Sequence, residues 1–205
     1  EDLLEILTDL GVHIERCNGI LIVDSSKMKN NILDDERIKS FRASSYFMGV
    51  MLSRFGRCEM VAPGGCKIGE RPLDMHFDFF KSLGVTFQKK DDRYILECKN
   101  QKKGFYRFRQ KSVGATINAL LYASGLERVE LHNISIEPEV IEVIKSLILM
   151  GVKINIDNDI CVIEGRKNKN GCRCRKNAPC TDPRRRKRRL SDGKIPKRKE
   201  KHCAC

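Results

Sequence analysis

The chain has 205 residues, ten Cys, no Trp and a formal charge of +13, enough for one sizeable domain or two small ones. The charge is concentrated: residues 166–205 hold 17 Lys+Arg against 3 Asp+Glu, leaving 23 and 24 in residues 1–165, a net of −1. No apolar run reaches membrane-spanning length, the acidic start EDLLEILTDLG lacks the basic segment of a signal peptide, and no phosphate-binding P-loop or Ser-His-Asp arrangement is visible.

From the N-terminus, DLLEILTDLGVHIERCNGILIVD (2–24) reads as an amphipathic helix, a Leu-Gly-Val stop and two short strands. RASSYFMGVMLSRFGRCEMVAP (42–63) follows as a polar start, a helix apolar from Tyr46 to Leu52, Gly56 and a strand. The loop APGGCKIGERPLDMH (62–76) leads into a second helix–Gly–Val–hairpin, LDMHFDFFKSLGVTFQKKDDRYILEC (73–98). KSVGATINALLYASGLERVELHN (111–133) repeats the 42–63 pattern, with Gly125 in the place of Gly56. PEVIEVIKSLILMGVKINIDNDICVIEG (138–165) is the third helix–Gly–Val–hairpin. Gly11, Gly84 and Gly151 lie 73 and 67 residues apart, each after an apolar stripe, as C-cap glycines do.

The alternation of helix, strand, helix and hairpin is βαβ-like and predicts an α/β domain. The helices around Tyr46–Leu52 and Ala115–Leu121 are apolar on most sides, so they are expected inside with sheets around them. Leu4, Ile6, Leu7, Ile144, Leu147 and Ile148 are expected to be buried. Cys17, Cys58, Cys66, Cys98 and Cys161 stand singly, the usage of a reduced, cytoplasmic protein.

The repeat, the loop PGGCKIGERPLD, RASSYFMGVMLSRFG, SVGAT (112–116) and EPEVIEVIKSLILMGVKI (137–154) together resemble the UDP-N-acetylglucosamine 1-carboxyvinyltransferases. The resemblance spans essentially all of residues 1–165. It implies an inside-out α/β barrel domain of the EPSP synthase type, built from βαβαββ repeats and here incomplete. The implied reaction moves the enolpyruvyl group of phosphoenolpyruvate to the 3′-hydroxyl of UDP-N-acetylglucosamine and releases phosphate, with no cofactor and no metal. Its setting is the first committed step of peptidoglycan synthesis, in the cytoplasm. The sister class that makes enolpyruvylshikimate phosphate shares the fold but not the Pro-Gly-Gly-Cys loop.

By that resemblance Cys66 is the acid that protonates the enolpyruvyl carbon and the target of the epoxide fosfomycin. Arg42 contacts the UDP-sugar. Arg71, Pro72, Leu73, Asp74 and Met75 grip the uridine and diphosphate, and Gln110, Lys111, Ser112 and Val113 meet the diphosphate at a helix start. These types suit the task. Gly64 and Gly65 give the loop freedom, Lys67 and Arg71 supply charge, and a helix start offers N–H groups to an anion. Ser112 also reads as a plain N-cap, and His76 either adds to the grip on the nucleotide or, as is commoner for a histidine on a helix surface, is passive.

The chain departs from the family in three ways. The family sequence is roughly twice as long, with an N-terminal Lys-Asn pair for phosphoenolpyruvate and a second domain that carries an aspartate base and further arginines. Ile136 stands where the family often has arginine. Residues 166–205, a basic Cys-rich tail expected to be disordered, occupy the place of the second domain. The isolated chain is therefore expected not to turn over, and a non-catalytic binder of UDP-sugars or polyanions is the other reading. Arg184–Arg189 would bind polyanions by counterion release. The Cys-x-Cys spacing with His202 is not the usual zinc spacing, and cysteine-rich heparin-binding tails offer only a vague likeness. The preferred reading of the tail is a junction out of frame with the body, without selected function.

Overall fold

The computed structural model describes residues 2–64, 72–98 and 103–165. In chain order, α1 (Asp2–Asp9), β1 (His13–Cys17) and β2 (Ile20–Asp24) form the first helix–hairpin unit. Then come α2 (Glu36–Ser40), a 3-10 turn (Arg42–Tyr46) running into α3 (Phe47–Phe55), and β3 (Arg57–Val61). The second unit is α4 (Asp74–Ser82), β4 (Thr86–Lys90) and β5 (Arg93–Glu97). Next are β6 (Gly104–Arg107), α5 (Val113–Ala123), β7 (Val129–His132), and the third unit, α6 (Pro138–Leu149), β8 (Lys153–Asp157) and β9 (Ile160–Glu164).

The three Gly-Val stops are one device used three times. Gly11, Gly84 and Gly151 take φ of +83, +87 and +92°, a region costly for any side chain. The valine amides after them bond back to Leu7, Phe80 and Leu147 at 2.9, 3.0 and 3.0 Å, while the glycine amides bond Thr8, Lys81 and Ile148 at 2.8, 2.9 and 2.9 Å. This is the Schellman pattern, and it turns Val12, Val85 and Val152 into the core. Each hairpin then closes through two residues, the first of them Asn18, Asp91 or Asn158 at positive φ.

The last sheet has the order β6-β7-β9-β8, with β6 parallel to β7 and the other pairs antiparallel. The middle sheet repeats it as β3-β5-β4, and its fourth strand shrinks to one parallel bridge, Leu33 to Met60, beside β3. The first hairpin has only its own two strands among the described residues.

Packing follows the sequence pattern. Ala115, Thr116, Asn118, Ala119, Leu120, Tyr122 and Ala123 of α5 are all fully buried, as are Met48, Met51 and Leu52 of α3. Burying one such Leu or Met contributes roughly 1.5–3 kcal/mol. The two helices touch backbone to backbone: a Cβ on Gly49 would lie 2.6 Å from the Asn118 carbonyl oxygen. Phe79 and Phe80 of α4 meet Tyr122 of α5 edge-on, and Phe108 stacks on Phe79.

Ile6, Ile144 and Leu147 are buried as expected, but Ile148 is 44 % exposed, and Leu4 and Leu7 are half-buried. Helix geometry accounts for the difference. At 3.6 residues per turn Ile148 lies roughly 80° round the axis from Val140, and Leu4 and Leu7 lie roughly 160° and 100° from Ile6. The stripes that face the core are therefore Val140–Ile144–Leu147 and Ile6–Leu10.

Candidate substrate site

Three chain segments with site residues converge on the N-terminal half of α5. At the start of that helix, Gln110 and Lys111 are exposed and Ser112 is the N-cap, its Oγ accepting from the Ala115 amide at 3.3 Å. Val113 and Gly114 follow in the first turn, at the positive end of the helix dipole, where N–H groups have no partner within the helix.

The second segment is the start of α4. Pro72 is exposed, whereas Leu73 and Met75 are 8 % and 7 % exposed and belong to the core. Asp74 lies between them and divides its carboxylate. Oδ2 is ion-paired with Arg109, while Oδ1 is buried and has no hydrogen-bond partner among the described residues. A buried carboxylate oxygen without a donor is costly. Such an oxygen can accept from an N–H or O–H group.

The third segment is the 3-10 turn that opens with half-buried Arg42. Ser44 Oγ donates to the Ile38 and Phe41 carbonyls at 2.7 Å each, which pins the turn to α2. The positive charge of Arg42 is felt at both Tyr46 and His76.

His76 joins the segments. It is 5 % exposed, not a surface residue, and its Nδ1 lies 2.8 Å from Asn118 Nδ2. The Asn118 amide orientation is set independently: Oδ1 accepts from the Gly49 amide at 2.9 Å and Nδ2 donates to the Ser45 carbonyl at 2.9 Å. Nδ2 must then donate to the imidazole as well, so Nδ1 accepts and the proton sits on Nε2. Burial, and secondarily the Arg42 charge, lower the His76 pKa to about 4 and keep the ring neutral. Two grooves, of about 380 Å³ beside Lys153 and Glu164 and about 480 Å³ beside Glu5 and Arg37, share no lining residue with this cluster.

Residues 1–176 match the family described as EPSP synthase (3-phosphoshikimate 1-carboxyvinyltransferase). The chain belongs to the EPSP synthase family. Among its relatives, the UDP-N-acetylglucosamine 1-carboxyvinyltransferase of Wolbachia pipientis subsp. Culex pipiens is 35% identical over 177 residues, 82% of this chain and 42% of the relative. The enzyme of the same name from Halothermothrix orenii is 38% identical over 168 residues, covering 80% and 40%. The enolpyruvyl transferase NikO from Streptomyces tendae superposes with a TM-score of 0.70 at 19% identity, over 84% of this chain and 41% of that one. EPSP synthase from Acinetobacter baumannii gives 0.61 at 17%, over 80% and 38%. At these identities the two structures show the fold. The chain spans about two fifths of the length of the curated relatives it matches.

Within this EPSP synthase-family domain, Arg42, Pro72, Asp74, Gln110, Lys111, Ser112 and Val113 are held on the three converging segments. Cys66, Arg71, Gly65, Lys67 and the tail 166–205 lie outside the described residues. Gly64 is described: a Cβ there would collide with the Lys39 carbonyl oxygen, so the position also needs glycine for close approach. The sequence pattern carries no expectation for Asn118, and His76 is interior where a helix surface is expected. Their signals were present: one amide inside an apolar helix, and a histidine three and four residues before the core rings Phe79 and Phe80.

Proposed function

We propose that this chain carries the nucleotide-sugar half of an enolpyruvyl transferase that acts on UDP-N-acetylglucosamine and phosphoenolpyruvate in cytoplasmic peptidoglycan synthesis. The observation that carries the reading is the convergence of Arg42, Asp74 and the capped start of α5 on one region. The α5 N–H groups and Arg42 suit a diphosphate, and Asp74 Oδ1, without a partner among the described residues, suits a neutral donor such as a uracil N–H or a sugar hydroxyl. The names of the curated relatives support the same substrate.

In this reading Cys66 donates its proton to the methylene carbon of phosphoenolpyruvate as the sugar 3′-oxygen bonds to the adjacent carbon. The sugar hydroxyl gives its proton to a base, phosphate then departs from the tetrahedral adduct, and loss of a methyl proton restores the double bond. Lys67 and Arg71 flank the thiol in sequence and favour its thiolate. The groups assigned to the second domain are not among residues 1–165, so the isolated chain is expected to bind without turning over. The net charge of +14 in residues 166–205 favours polyanion binding as a separate, non-catalytic property of the tail.

Limited alkylation of the chain with an epoxide or maleimide, mapped by mass spectrometry, tests the reading. Cys66 should react before Cys17, Cys58, Cys98 and Cys161, and UDP-N-acetylglucosamine should change its rate. Burial lifts the thiol pKa of both Cys58 and Cys161 to about 12, so those two should be slowest. Even labelling of these five cysteines, indifferent to the nucleotide sugar, would mean that ancestry persists without a working site.

A further inference from the structure

We propose that Asn118 and His76 are positioning residues: a buried amide–imidazole pair that sets the mutual spacing of the three substrate-binding segments. This rests on the site reading above and goes beyond it, because neither side chain needs to touch a ligand.

Each bond of the pair ends on a different segment. Asn118 lies one turn into α5 from the Ser112–Val113 start. Its Nδ2 donates to Ser45 at 2.9 Å, within the same 3-10 turn as Arg42. Its Oδ1 accepts from Gly49 at 2.9 Å, within the first turn of α3. Through Nδ2 it also meets His76 Nδ1 at 2.8 Å, in the same first turn of α4 as Asp74. The opposite edge of the imidazole closes the loop: a Cβ on Gly114 would lie 3.4 Å from Nε2 and 3.5 Å from Cε1, so the ring abuts the start of α5. Arg42, Asp74 and Val113–Gly114 are thus referred to one buried amide.

Apolar packing alone would not do this. The α3–α5 contact at Gly49 is a close approach that sets how near the helices lie, but apolar contact is non-directional, whereas hydrogen bonds of 2.8–2.9 Å lose their value with small displacements. The network is also satisfied in only one arrangement. Reversing the amide would set NH₂ against the Gly49 N–H and oxygen against the Ser45 carbonyl, losing two bonds. A buried polar cluster with a single satisfied arrangement specifies geometry at a cost that an all-apolar core would not carry.

Calorimetric binding of UDP-N-acetylglucosamine to the full chain and its variants tests the proposal, with thermal denaturation recorded beside it. Asn118→Leu, which removes all three bonds at nearly constant volume, should weaken binding by about tenfold or more. The decisive pair is His76→Asn and His76→Leu. Asparagine keeps an acceptor near the position of Nδ1 and should bind nearly as wild type, although it fills the core less well. Leucine should be the more stable of the two and the weaker binder. Binding that instead follows stability, with Leu at least equal to Asn, would overturn the positioning role. If the wild-type chain does not bind the nucleotide sugar, the site reading fails, and NMR then decides the pair by itself. A bare Nδ1 on His76, together with amide shifts in Asn118→Leu that move jointly at Arg42, Asp74 and Val113, would support it. A protonated Nδ1, or shifts confined to α5, would refute it.

Discussion

The first and last hairpins share one local design and live in different surroundings. Both follow a helix closed by the same Schellman stop, both turn through two residues beginning with Asn, and both pair in the same register, His13 with Asp24 and Lys153 with Glu164. Aligned on Gly11 and Gly151, Leu21 corresponds to Cys161 and Val23 to Ile163. Cys161 and Ile163 are fully buried, whereas Leu21 and Val23 are 45 % and 51 % exposed. The middle hairpin sides with the last, since Leu96 at the matching position is also fully buried. What differs is the cover: β9 pairs with β7 and lies against α5, and β5 pairs with β3, while β2 pairs only with β1 among the described residues. Local sequence builds the hairpin, and neighbouring elements decide whether its apolar positions contribute to stability.

The strongest way to break this comparison is a matched pair of truncations. Ile163→Ala should cost roughly 2–5 kcal/mol, because it empties a fully buried site. Val23→Ala, at the equivalent position, should fall within about 0.5 kcal/mol of wild type. Chemical denaturation of the two variants would measure both. Equal losses would mean that β2 is covered in solution and that the two hairpins do not differ as described.

The same contrast explains what the sequence made legible. The repeat, the three stops and the hairpins could be read because they depend on short-range chemistry: stripe, glycine, valine and turn residue within a few positions. The central placement of α3 and α5 could be read because those segments are apolar on most sides. Exposure at Val23 and burial at His76 could not, because each depends on an element far away in the chain. His76 lies 42 residues from Asn118, and only the packing of α4 on α5 makes it an interior group. The site residues came from the resemblance carried by RASSYFMGVMLSRFG, the loop and SVGAT; Asn118 lies outside those motifs, and His76, at the end of the loop segment, carried no sign of its burial.

Acid should separate the two regions. His76 is held at about pKa 4 in the fold against 6.5 for the free residue, so the unfolded chain binds the extra proton first. Its neutral form therefore favours the fold above pH 6.5, and that contribution fades as pH falls toward 4. The total is roughly 3 kcal/mol at 1.36 kcal/mol per unit. Asp35, at the N-cap of α2, is lowered from 3.8, first by its side-chain bond to Arg37. Its contribution is present above 3.8 and is lost only below that. Hydrogen-exchange protection factors, with the intrinsic pH dependence of exchange divided out, should fall in α4 and α5 from pH 6.5 down to 4.5 while those of the α1–α2 contact hold. A loss of protection that begins at α1 and leaves α5 protected would contradict the ordering.

The smallest expected effect lies where the first hairpin unit is tied to the domain by charge. Arg37 donates to Glu5 at 2.8 Å and Asp9 at 2.5 Å on α1, and it pairs with Asp35 on its own side. Glu5 and Asp9 are 57 % and 65 % exposed, so water and salt screen the cluster, and exposed pairs of this kind contribute little to global stability. The third unit presents a longer apolar stripe, Val140, Ile144 and Leu147, than the Ile6 and Leu10 of α1, and depends less on charge. Arg37→Ala should therefore leave the denaturation midpoint of the domain almost unchanged while raising hydrogen exchange in β1 and β2. High salt should reproduce the effect in the wild type, and neither treatment should alter exchange in β8 and β9. A large drop in the midpoint would show that the first unit is coupled to the core as tightly as the third, and the contrast between the two hairpins would then be one of exposure without a matching difference in stability.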